Sequence, residues 1–295
     1  MEYLYKVTVL TPAYNRRDRL QKLYESLCKQ TVGEFQWLII DDGSTDGTEE
    51  LIRGFKRHQF RMDYYKKENG GKHTALNYAH TYIEGELTVI VDSDDFLLPD
   101  AVETIMNDWK KYCMDESISG FSYLKSRNNG GYLSQKSPSD FYIDDDIHYR
   151  VNQGIQGDRC EVVRTELLKK YPFPVFMYEK FMSEGWLWTH IAYDYKTVYR
   201  NKIIYMCEYL EGGLTKSGRT LRVKSPLGMM ENCKAYFVPS VKMKSQMKEM
   251  ILYWAYSRYA GFSFFKTVRE SGKGIVMIFT APLGIILSAI WKKYN

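Results

Sequence analysis

Three carboxylates stand within four residues in the segment Asp92-Ser93-Asp94-Asp95, directly after an apolar run at residues 87–91. Carboxylates this close together repel one another and raise each other's pKa, unless water or a cation compensates. Hard cations such as Mg²⁺ or Mn²⁺ take oxygen ligands, often one or two carboxylates plus substrate phosphates. Asp92 and Asp94 are therefore a candidate metal site, with both side chains expected on one face of an extended segment. A solvated turn is the alternative.

A second acidic segment, residues 41–48 with the sequence DDGSTDGT, has the composition of a nucleotide-binding turn. Its glycines permit a tight turn, and its acids can accept hydrogen bonds from a base or from ribose hydroxyls. Capping of the next helix by Thr45 or Asp46 is the structural alternative. The segment is neither a G-x-G-x-x-G dinucleotide loop nor a P-loop, so hydride transfer and P-loop phosphoryl transfer lack their usual motifs.

Two further segments could contact a phosphate or a base. Residues 11–16, TPAYNR, offer the ring of Tyr14 for stacking and the cation of Arg16 for phosphate. Residues 69–73, NGGKH, precede a predicted helix and can bring backbone N–H groups and the Lys72 ammonium to a phosphate or base. Each segment alone also fits an ordinary turn, so the functional interpretation depends on whether the segments meet.

A frame that would make them meet is visible in the first 125 residues, where short apolar runs alternate with helical periodicity. We predict strands at residues 6–10, 35–40, 62–66, 87–91 and 119–124, with helices beginning near residues 18, 51, 72 and 100. This alternation predicts an α/β fold with a mostly parallel, Rossmann-like central sheet flanked by helices. Ligands bind beyond the carboxyl ends of such strands, where three of the polar segments lie.

The second half of the chain is less regular. Residues 127–150 read as a long polar surface loop, a helix is expected to start near Glu184, and two short strands are expected at 198–199 and 203–207. The five cysteines are odd in number and widely spaced, which favours a reducing compartment, and no N-terminal signal peptide is visible. We therefore expect a cytoplasmic protein.

The last 81 residues differ in charge from the rest. Residues 215–295 contain 14 Lys and Arg against 3 Asp and Glu, whereas residues 1–214 contain 27 against 33. Residues 274–291 carry no charge, but Pro282 and Gly284 interrupt them. A spanning helix needs about 20 apolar residues, so we expect a re-entrant or surface-lying hairpin. The flanking lysines favour an anionic membrane surface over packing on the domain.

Four motifs, in this order along the chain, resemble those of the family-2 glycosyltransferases. They are YNR at 14–16, DDGSTDGT at 41–48, NGGK at 69–72 with Asn77 in the next helix, and DSDD followed by LLPDA. The resemblance covers about the first 110 residues, and the segment from Gly157 to Trp188 is similar to a bacterial branch that builds surface polysaccharides. It implies a GT-A fold, a nucleotide-diphospho-sugar donor with a UDP-sugar favoured, a divalent Mn²⁺ or Mg²⁺, and inversion at the anomeric centre. The amphipathic pattern of residues 243–265 separately predicts a helical C-terminal appendage.

The resemblance also implies roles for particular residues. Asp92 and Asp94 would bind the metal, Asp42 the base, and Lys72 the base or a phosphate. The family's catalytic base usually belongs to a Glu-Asp pair, which reads Glu184-Gly185 here, so Glu184 is the expected base with Asp158 in reserve. A helix N-terminal carboxylate is the alternative for Glu184. The donor-binding residues implied are Thr11, Tyr14, Asn15, Arg16, Asp42, Lys72, Asn77, Asp92 and Ser93.

These expectations divide the chain into a GT-A domain at 1–214 and a basic helical region at 215–295. The first comprises a donor half, 1–125, and an acceptor half, 126–214. The expected partners are a nucleotide-sugar, a saccharide or lipid-linked oligosaccharide acceptor and the inner face of the cell membrane, but no nucleic acid, because the tail's charge accompanies an apolar run. The rival functions are a catalytically degenerate nucleotide-sugar-binding or scaffold protein and a nucleotidyltransferase, whose Gly-rich N-terminal loop is missing.

Overall fold

The computed structural model describes residues 3–56, 59–127, 130–207 and 214–294. In these residues nine strands form one sheet in the order β3-β2-β1-β4-β8-β6-β9-β5, and β7 pairs with β9. The strands are β1 (Tyr5–Ala13), β2 (Gln36–Asp41), β3 (Arg61–Lys66), β4 (Gly85–Ile90), β5 (Phe96–Leu97), β6 (Ile118–Arg127), β7 (Tyr142–Asp144), β8 (Arg159–Arg164) and β9 (Lys196–Cys207).

The central sheet is mostly parallel, as predicted. β1 runs parallel to β2 and β4, β2 to β3, and β6 to β9, while β8 is antiparallel to both β4 and β6. Strands β5 and β7 are antiparallel to β9, so six of the nine strands share one direction. The five strands predicted in the first 125 residues are all present, with ends displaced by at most three residues.

Six helices cover the two faces of the sheet: α1 (Arg17–Cys28), α2 (Thr48–Gly54), α3 (Lys72–Ala79), α4 (Ala101–Trp109), α5 (Thr165–Lys170) and α6 (Gly185–Ile191). Apolar residues of α1, α2 and α4 pack with one face in a single core cluster, and those of α3, α5 and α6 pack with the other. Strand β2 is buried along its whole length, because helices cover both of its faces.

Two expectations for the middle of the chain were wrong. The polar stretch predicted as a plain loop contains β7 and one π-helical turn, Ile147–Val151, whose Ile147 and Tyr149 are buried. The two short strands expected near residue 200 are one strand, β9, whose pairing with β6 shifts register at irregularities. Such bulges interrupt the alternation of side chains, which is why the sequence pattern looked like two pieces.

The last part of the described chain is helical: α7 (Leu214–Lys224), α8 (Pro226–Ala235), α9 (Met243–Tyr259), α10 (Phe264–Ser271) and α11 (Ile275–Tyr294). These helices share a core cluster around α9, separate from the two clusters on the sheet. They also contact the α/β part, where the Tyr193 hydroxyl donates to the Ala235 carbonyl at 2.6 Å. The division at residue 214 stays a prediction.

The predicted C-terminal hairpin was wrong, because residues 275–294 form one continuous helix. Pro282 is exposed within that helix, and its neighbours Met277 and Ala281 are buried against α9. Gly284 is a close-contact position: a Cβ there would overlap Trp254 of α9. Packing therefore holds the helix together across the proline. By length and composition, the stretch Ile275–Lys293 could cross a membrane, with 28% of its apolar window buried inside the protein.

Candidate functional site

The three predicted polar segments lie at one edge of the sheet. Ala13 at the end of β1 pairs with Asp41 at the end of β2, and β4 ends two residues before Asp92. Two segments from later in the chain reach the same edge: β8 begins there, immediately after Asp158, and Lys125 lies near the end of β6. The carboxyl ends of parallel strands therefore bring together residues from the first half and from the middle of the chain.

Asp42 organises the loop that leads to α3. Its buried carboxylate accepts hydrogen bonds from the Lys67 ammonium at 2.7 Å, from the Asn69 amide at 3.0 Å, and from the backbone N–H groups of Gly70 and Gly71 at 2.9 and 2.7 Å. A carboxylate has about four acceptor positions, so in this structure Asp42 holds the loop in place. Its expected contact with a base stays a prediction.

The TPAYNR segment packs on the DDGSTDGT turn. Asn15 has a left-handed backbone (φ 51°), its N–H donates to the Ser44 hydroxyl at 2.9 Å, and its amide oxygen accepts from the Thr45 N–H at 2.9 Å. The Tyr14 ring is 47% exposed and so is open to a stacking partner. Arg16 lies close enough to Asp92 to influence its ionisation. The two segments thus form one surface beside the Asp92 turn.

Lys72 is the geometric centre of the site. Its ammonium lies 2.5 Å from an Asp92 oxygen and 2.6 Å from an Oε1 atom of Glu184. Helix α3 begins at Lys72, directly after Gly71, whose φ is +95° and where any Cβ would overlap the Lys180 carbonyl oxygen. A glycine is required at this position both by its backbone angle and by that close approach. Lys72, Asp92 of the acidic segment and the expected catalytic base Glu184 therefore meet at one point.

Electrostatics keep this cluster ionised. Burial works to lower the pKa of Lys72, but the charges of Asp92 and Glu184 outweigh it and raise that pKa above its ordinary value. Burial likewise works to raise the pKa of Asp92, yet Lys72, Lys125 and Arg16 leave that pKa below its ordinary range. Opposite charges within a few ångströms favour the charged forms, so the site holds fixed charges suited to an anionic substrate.

The acidic segment forms a turn rather than the extended segment expected, since the Asp95 N–H donates to the Asp92 carbonyl at 3.1 Å. Asp95 is buried and accepts from the Tyr205 hydroxyl at 2.8 Å, and Ser93 is buried beside it. Asp94 is half-buried and forms no hydrogen bond or ion pair within the described residues. Turn geometry therefore gives the three acids different surroundings.

This arrangement is compatible with a divalent cation. Asp94 has free carboxylate oxygens beside Asp92, and Mg²⁺ or Mn²⁺ commonly takes one or two carboxylates with substrate phosphates. No group of three or more His, Cys, Asp or Glu side chains in the described part of the chain is placed to hold a metal. The residues present would thus supply part of a coordination shell that the donor diphosphate would complete.

Glu184 stands at the start of α6, as expected for a helix N-terminal carboxylate, and also reaches Lys72. The space where the family pattern has an Asp side chain is occupied from the C-terminal helices. A Cβ on Gly185 would lie 3.2 Å from the Tyr236 hydroxyl and 3.7 Å from the Asn232 amide oxygen. The reserve candidate, Asp158, is exposed beside Lys125 and outside the Lys72 cluster.

Two predicted donor residues have other partners. The Thr11 side chain is fully buried and accepts a hydrogen bond from the Trp37 indole at 3.0 Å. The Asn77 amide N–H donates to the Phe173 carbonyl, and its amide oxygen accepts from the Phe173 N–H, each at 2.8 Å. The structure therefore places Thr11 in the core and Asn77 on the segment that precedes Glu184, and neither side chain joins the carboxylate cluster.

Sequence reasoning missed Lys125 and Glu161. The Lys125 ammonium lies 4.3 Å from the centre of the Tyr205 ring, and the electrostatic influence of Asp92 on it is larger than that of Asp158 or Glu161. Burial raises the pKa of Glu161 to about 7, against the lowering influence of Arg150 and Lys125. Each is a charged residue inside a strand, which was the available signal.

A mixed sheet with an acidic turn after β4, and with cations beside it, defines the class: this is a GT-A-type fold of the glycosyltransferases. Residues 8–171, more than half of the chain, match Glycosyl transferase family 2. The chain belongs to this family, which confirms the resemblance seen in its motifs.

The known proteins that the chain matches vary in length. It is 30% identical over 119 residues to the putative teichuronic acid biosynthesis glycosyltransferase TuaG of Bacillus subtilis, covering 40% of this chain and 47% of TuaG. The chain spans less than half the length of the first curated relatives it matches.

Two solved structures share the fold. The S. aureus TarS fragment 1–349 bound to UDP-GlcNAc gives a TM-score of 0.60 at 16% identity, over 98% of this chain and 92% of that one. PcManGT, a mannosyltransferase from Pyrobaculum calidifontis bound to GDP-Man and Mn²⁺, gives a TM-score of 0.57 at 17% identity, over 98% of this chain and 87% of PcManGT.

Proposed function

We propose that this glycosyltransferase moves a sugar from a nucleotide-diphospho-sugar, a UDP-sugar by preference, to a hydroxyl of a saccharide or lipid-linked oligosaccharide acceptor, with inversion at the anomeric carbon. The observation that carries the proposal is the meeting of Lys72, Asp92 and Glu184 beside the free carboxylate of Asp94. Family membership and the UDP-GlcNAc and GDP-Man bound to the two structural neighbours support a nucleotide-sugar donor. TuaG supports a role in polysaccharide biosynthesis.

The donor would lie along the edge formed by β1, β2 and β4. Tyr14 offers its exposed ring to the base, Asp42 and the loop it holds border the nucleoside, and Lys72 and Arg16 face the diphosphate. A divalent cation held by Asp92 and Asp94 would neutralise charge on the departing diphosphate. The Mn²⁺ in the mannosyltransferase complex supports such a cation. Fixed cations at this edge stabilise the same leaving group without having to reorganise.

Glu184 is the proposed base. A carboxylate that takes the proton of the acceptor hydroxyl lets the oxygen attack the anomeric carbon on the face opposite the nucleotide. One displacement then inverts the configuration, and no covalent enzyme intermediate forms. In the structure the Glu184 carboxylate is paired with Lys72, which also contacts Asp92, so the donor-side and acceptor-side charges are coupled through one ammonium group.

Calorimetry with a set of nucleotide-sugars, with and without Mn²⁺, tests the proposal on the wild type, on Asp94→Ala and on a matched control. Asp194→Ala is that control, because Asp194 is a 61% exposed carboxylate beyond the opposite end of α6. We expect Mn²⁺-dependent binding of one donor by the wild type and the control, and its loss in Asp94→Ala. Binding that survives in Asp94→Ala would remove the metal role.

A binding protein that does not turn over is the second candidate, and Gly185 favours it because the usual Asp of the pair is absent. The same calorimetry, followed by measurement of nucleoside diphosphate release, separates the two. Donor binding without release, with any saccharide or lipid-linked acceptor supplied, would favour the binding protein. Release that depends on the acceptor would exclude it.

We further propose that α11 holds the enzyme on an anionic membrane surface, peripherally at the cytoplasmic face. Its outward face is apolar: Phe279 is 79% exposed, and Ile275, Leu283 and Ile286 are more than half exposed. Between Phe264 and Tyr294, five Lys or Arg residues stand against one Glu. An apolar helix face flanked by cations suits lipid tails and acidic headgroups.

Vesicle sedimentation tests this attachment. Phe279→Glu should lower binding to vesicles that contain phosphatidylglycerol by at least tenfold, because a charge replaces an aromatic side chain that is 79% exposed. Met114→Glu, at a 91% exposed position away from α11, is the control and should change nothing. Equal binding by Phe279→Glu, or a wild type that dimerises through α11 and ignores vesicles, would contradict the membrane assignment.

A further inference from the structure

Three charged side chains form a wall that the donor chemistry does not use. An Nη atom of Arg150 lies 3.4 Å from a Glu161 oxygen and 3.8 Å from an Asp146 oxygen, and its other Nη donates to the Gly157 carbonyl. Each of the three side chains remains about one-fifth exposed. The Tyr199 hydroxyl donates to Asp146 at 3.3 Å and fixes that carboxylate. The wall is thus rigid but open on one side.

The register of the sheet places this wall beside the reacting end of the donor site. Val162 of β8 pairs with Val89 of β4, and because the strands are antiparallel, Glu161 lies one step closer to the end of β4 and its acidic turn. Lys125 connects the two areas, since Asp92 and Glu161 both raise its pKa. Lys125 therefore lies between the Lys72 cluster and the wall.

Its far side reaches the C-terminal helices. The charge of Asp146 influences the Tyr236 hydroxyl, which lies 3.2 Å from where a Cβ on Gly185 would be. Burial raises the pKa of Tyr236 to about 12, so its hydroxyl stays neutral. The buried Asn232 amide oxygen beside it has no hydrogen bond within the described residues. Tyr236 therefore lies between Gly185, the chain neighbour of Glu184, and the Asp146 end of the wall.

The two carboxylates of the wall, Asp146 and Glu161, are partly exposed hydrogen-bond acceptors. Arg150 is already engaged by two carboxylates and a carbonyl, and Lys125 has Asp92 as its strongest electrostatic partner. A carboxylate or phosphate on a ligand would meet the carboxylates of Asp146 and Glu161, and the two cations beside them in the described part of the chain, Arg150 and Lys125, already have acidic partners. A ligand hydroxyl, in contrast, donates to carboxylate oxygens and forms a charge-assisted hydrogen bond.

We propose that Asp146, Arg150 and Glu161 form the subsite for the acceptor, and that they select an uncharged, hydroxyl-bearing sugar unit over a uronic acid or a phosphorylated sugar. The inference rests on the proposed function, because it assigns the acceptor of that same reaction. The wall orients the sugar through its hydroxyl groups, and Glu184 at its edge faces the hydroxyl that reacts.

Saturation-transfer NMR on the full chain tests the subsite, with octyl hexosides (glucoside, galactoside, N-acetylglucosaminide) against the matching octyl uronides as probes. We expect at least one neutral hexoside to bind and the uronides to bind at least tenfold more weakly. Glu161→Gln and Asp146→Asn should weaken that hexoside at least tenfold while leaving the donor dissociation constant unchanged. Glu166→Gln, at an exposed carboxylate just after β8, is the control.

Uronides that bind as tightly as hexosides, no binding by either class, or full hexoside binding by both variants would overturn the proposal. Thermal unfolding of each variant establishes that it is folded. Donor calorimetry on the same samples reports the proposed function independently. A wild type that binds donor and prefers uronides would refute only the acceptor assignment, whereas a wild type that binds no donor would refute the function itself.

Discussion

The proposed donor edge and the proposed acceptor side of this molecule are built in different ways. At the donor edge, Asn15, Asp42, Lys72 and Asp92 belong to four short segments within the first 100 residues, and each segment follows or precedes a regular element. On the proposed acceptor side, Arg150, Glu161 and Asn232 belong to three elements that are distant in the chain: a π-helical turn, β8 and α8. Contiguous motifs specify the first region, and packing specifies the second.

This difference shows which kind of functional site can be predicted from a sequence. A loop at the end of a parallel strand must form a local turn, so its Gly, Asp and Asn residues form a recognisable string. A wall made by side chains from separate elements has no such constraint on spacing. Substitutions in the two regions test this contrast, and the largest effect is expected at Glu184.

If Glu184 is the base as proposed, Glu184→Gln should reduce turnover about 10²–10⁴-fold, since an amide cannot take the acceptor proton. Donor affinity should stay within about twofold, because the amide retains the shape of the side chain. Steady-state kinetics and calorimetry on one sample measure both. Asp158→Asn should lower turnover less than tenfold, and the reverse ranking would move the base to Asp158.

Glu161→Gln should stabilise the folded protein at pH 8 by up to about 3 kcal/mol, and less at pH 5. Burial raises the pKa of Glu161 to about 7, so its ionised form opposes folding. That penalty is absent below the carboxyl's ordinary pKa, grows as pH rises towards 7, and is complete above it. The facing charged groups are Arg150, Lys125, Asp146 and Asp158.

Urea unfolding at the two pH values measures this change. A gain in stability together with weaker acceptor binding would show that the ionised Glu161 of the wall serves acceptor binding and lowers folding stability, as is common at functional sites. A stability difference that does not change between pH 5 and pH 8 would argue that Glu161 is ionised in the folded and unfolded states alike.

Gly284→Ala should destabilise the protein by about 1–3 kcal/mol, because the added methyl group would overlap Trp254 and push α11 away from α9. Gly54→Ala is the matched control, since Gly54 closes α2 with open space where the Cβ would go. That control should leave stability unchanged or raise it by up to about 1 kcal/mol. Opposite signs in the two thermal unfolding curves are the expected result, and equal signs would contradict the packing.

Asn77→Ala should cost about 1–2 kcal/mol, the smallest effect of the series, because it leaves the backbone N–H and carbonyl of Phe173 without their partner. Asn107→Ala, at an exposed amide that accepts from the exposed Lys110 ammonium, is the control and should stay within about 0.5 kcal/mol. If donor affinity falls more than stability does, Asn77 contacts the nucleotide-sugar after all, as its motif suggested.

The sequence by itself determined the α/β class, the five strands of the first 125 residues, the polar segments at one sheet edge, and the family. Hydrophobic period and turn residues are local properties, and the order of strands and helices follows from them. It also identified Glu184 as a candidate, although α6 and α3 are distant in the chain.

Only the tertiary structure decided three other matters. It assigned the Thr11 hydroxyl and the Asn77 amide to protein partners, because hydrogen-bonding capacity is satisfied by whatever group lies nearest in space. It made α11 one helix, because packing of Gly284 on Trp254 outweighs the local effect of Pro282. It placed Glu161 next to the end of β4, because the register of two antiparallel strands, and not spacing along the chain, sets which residues pair.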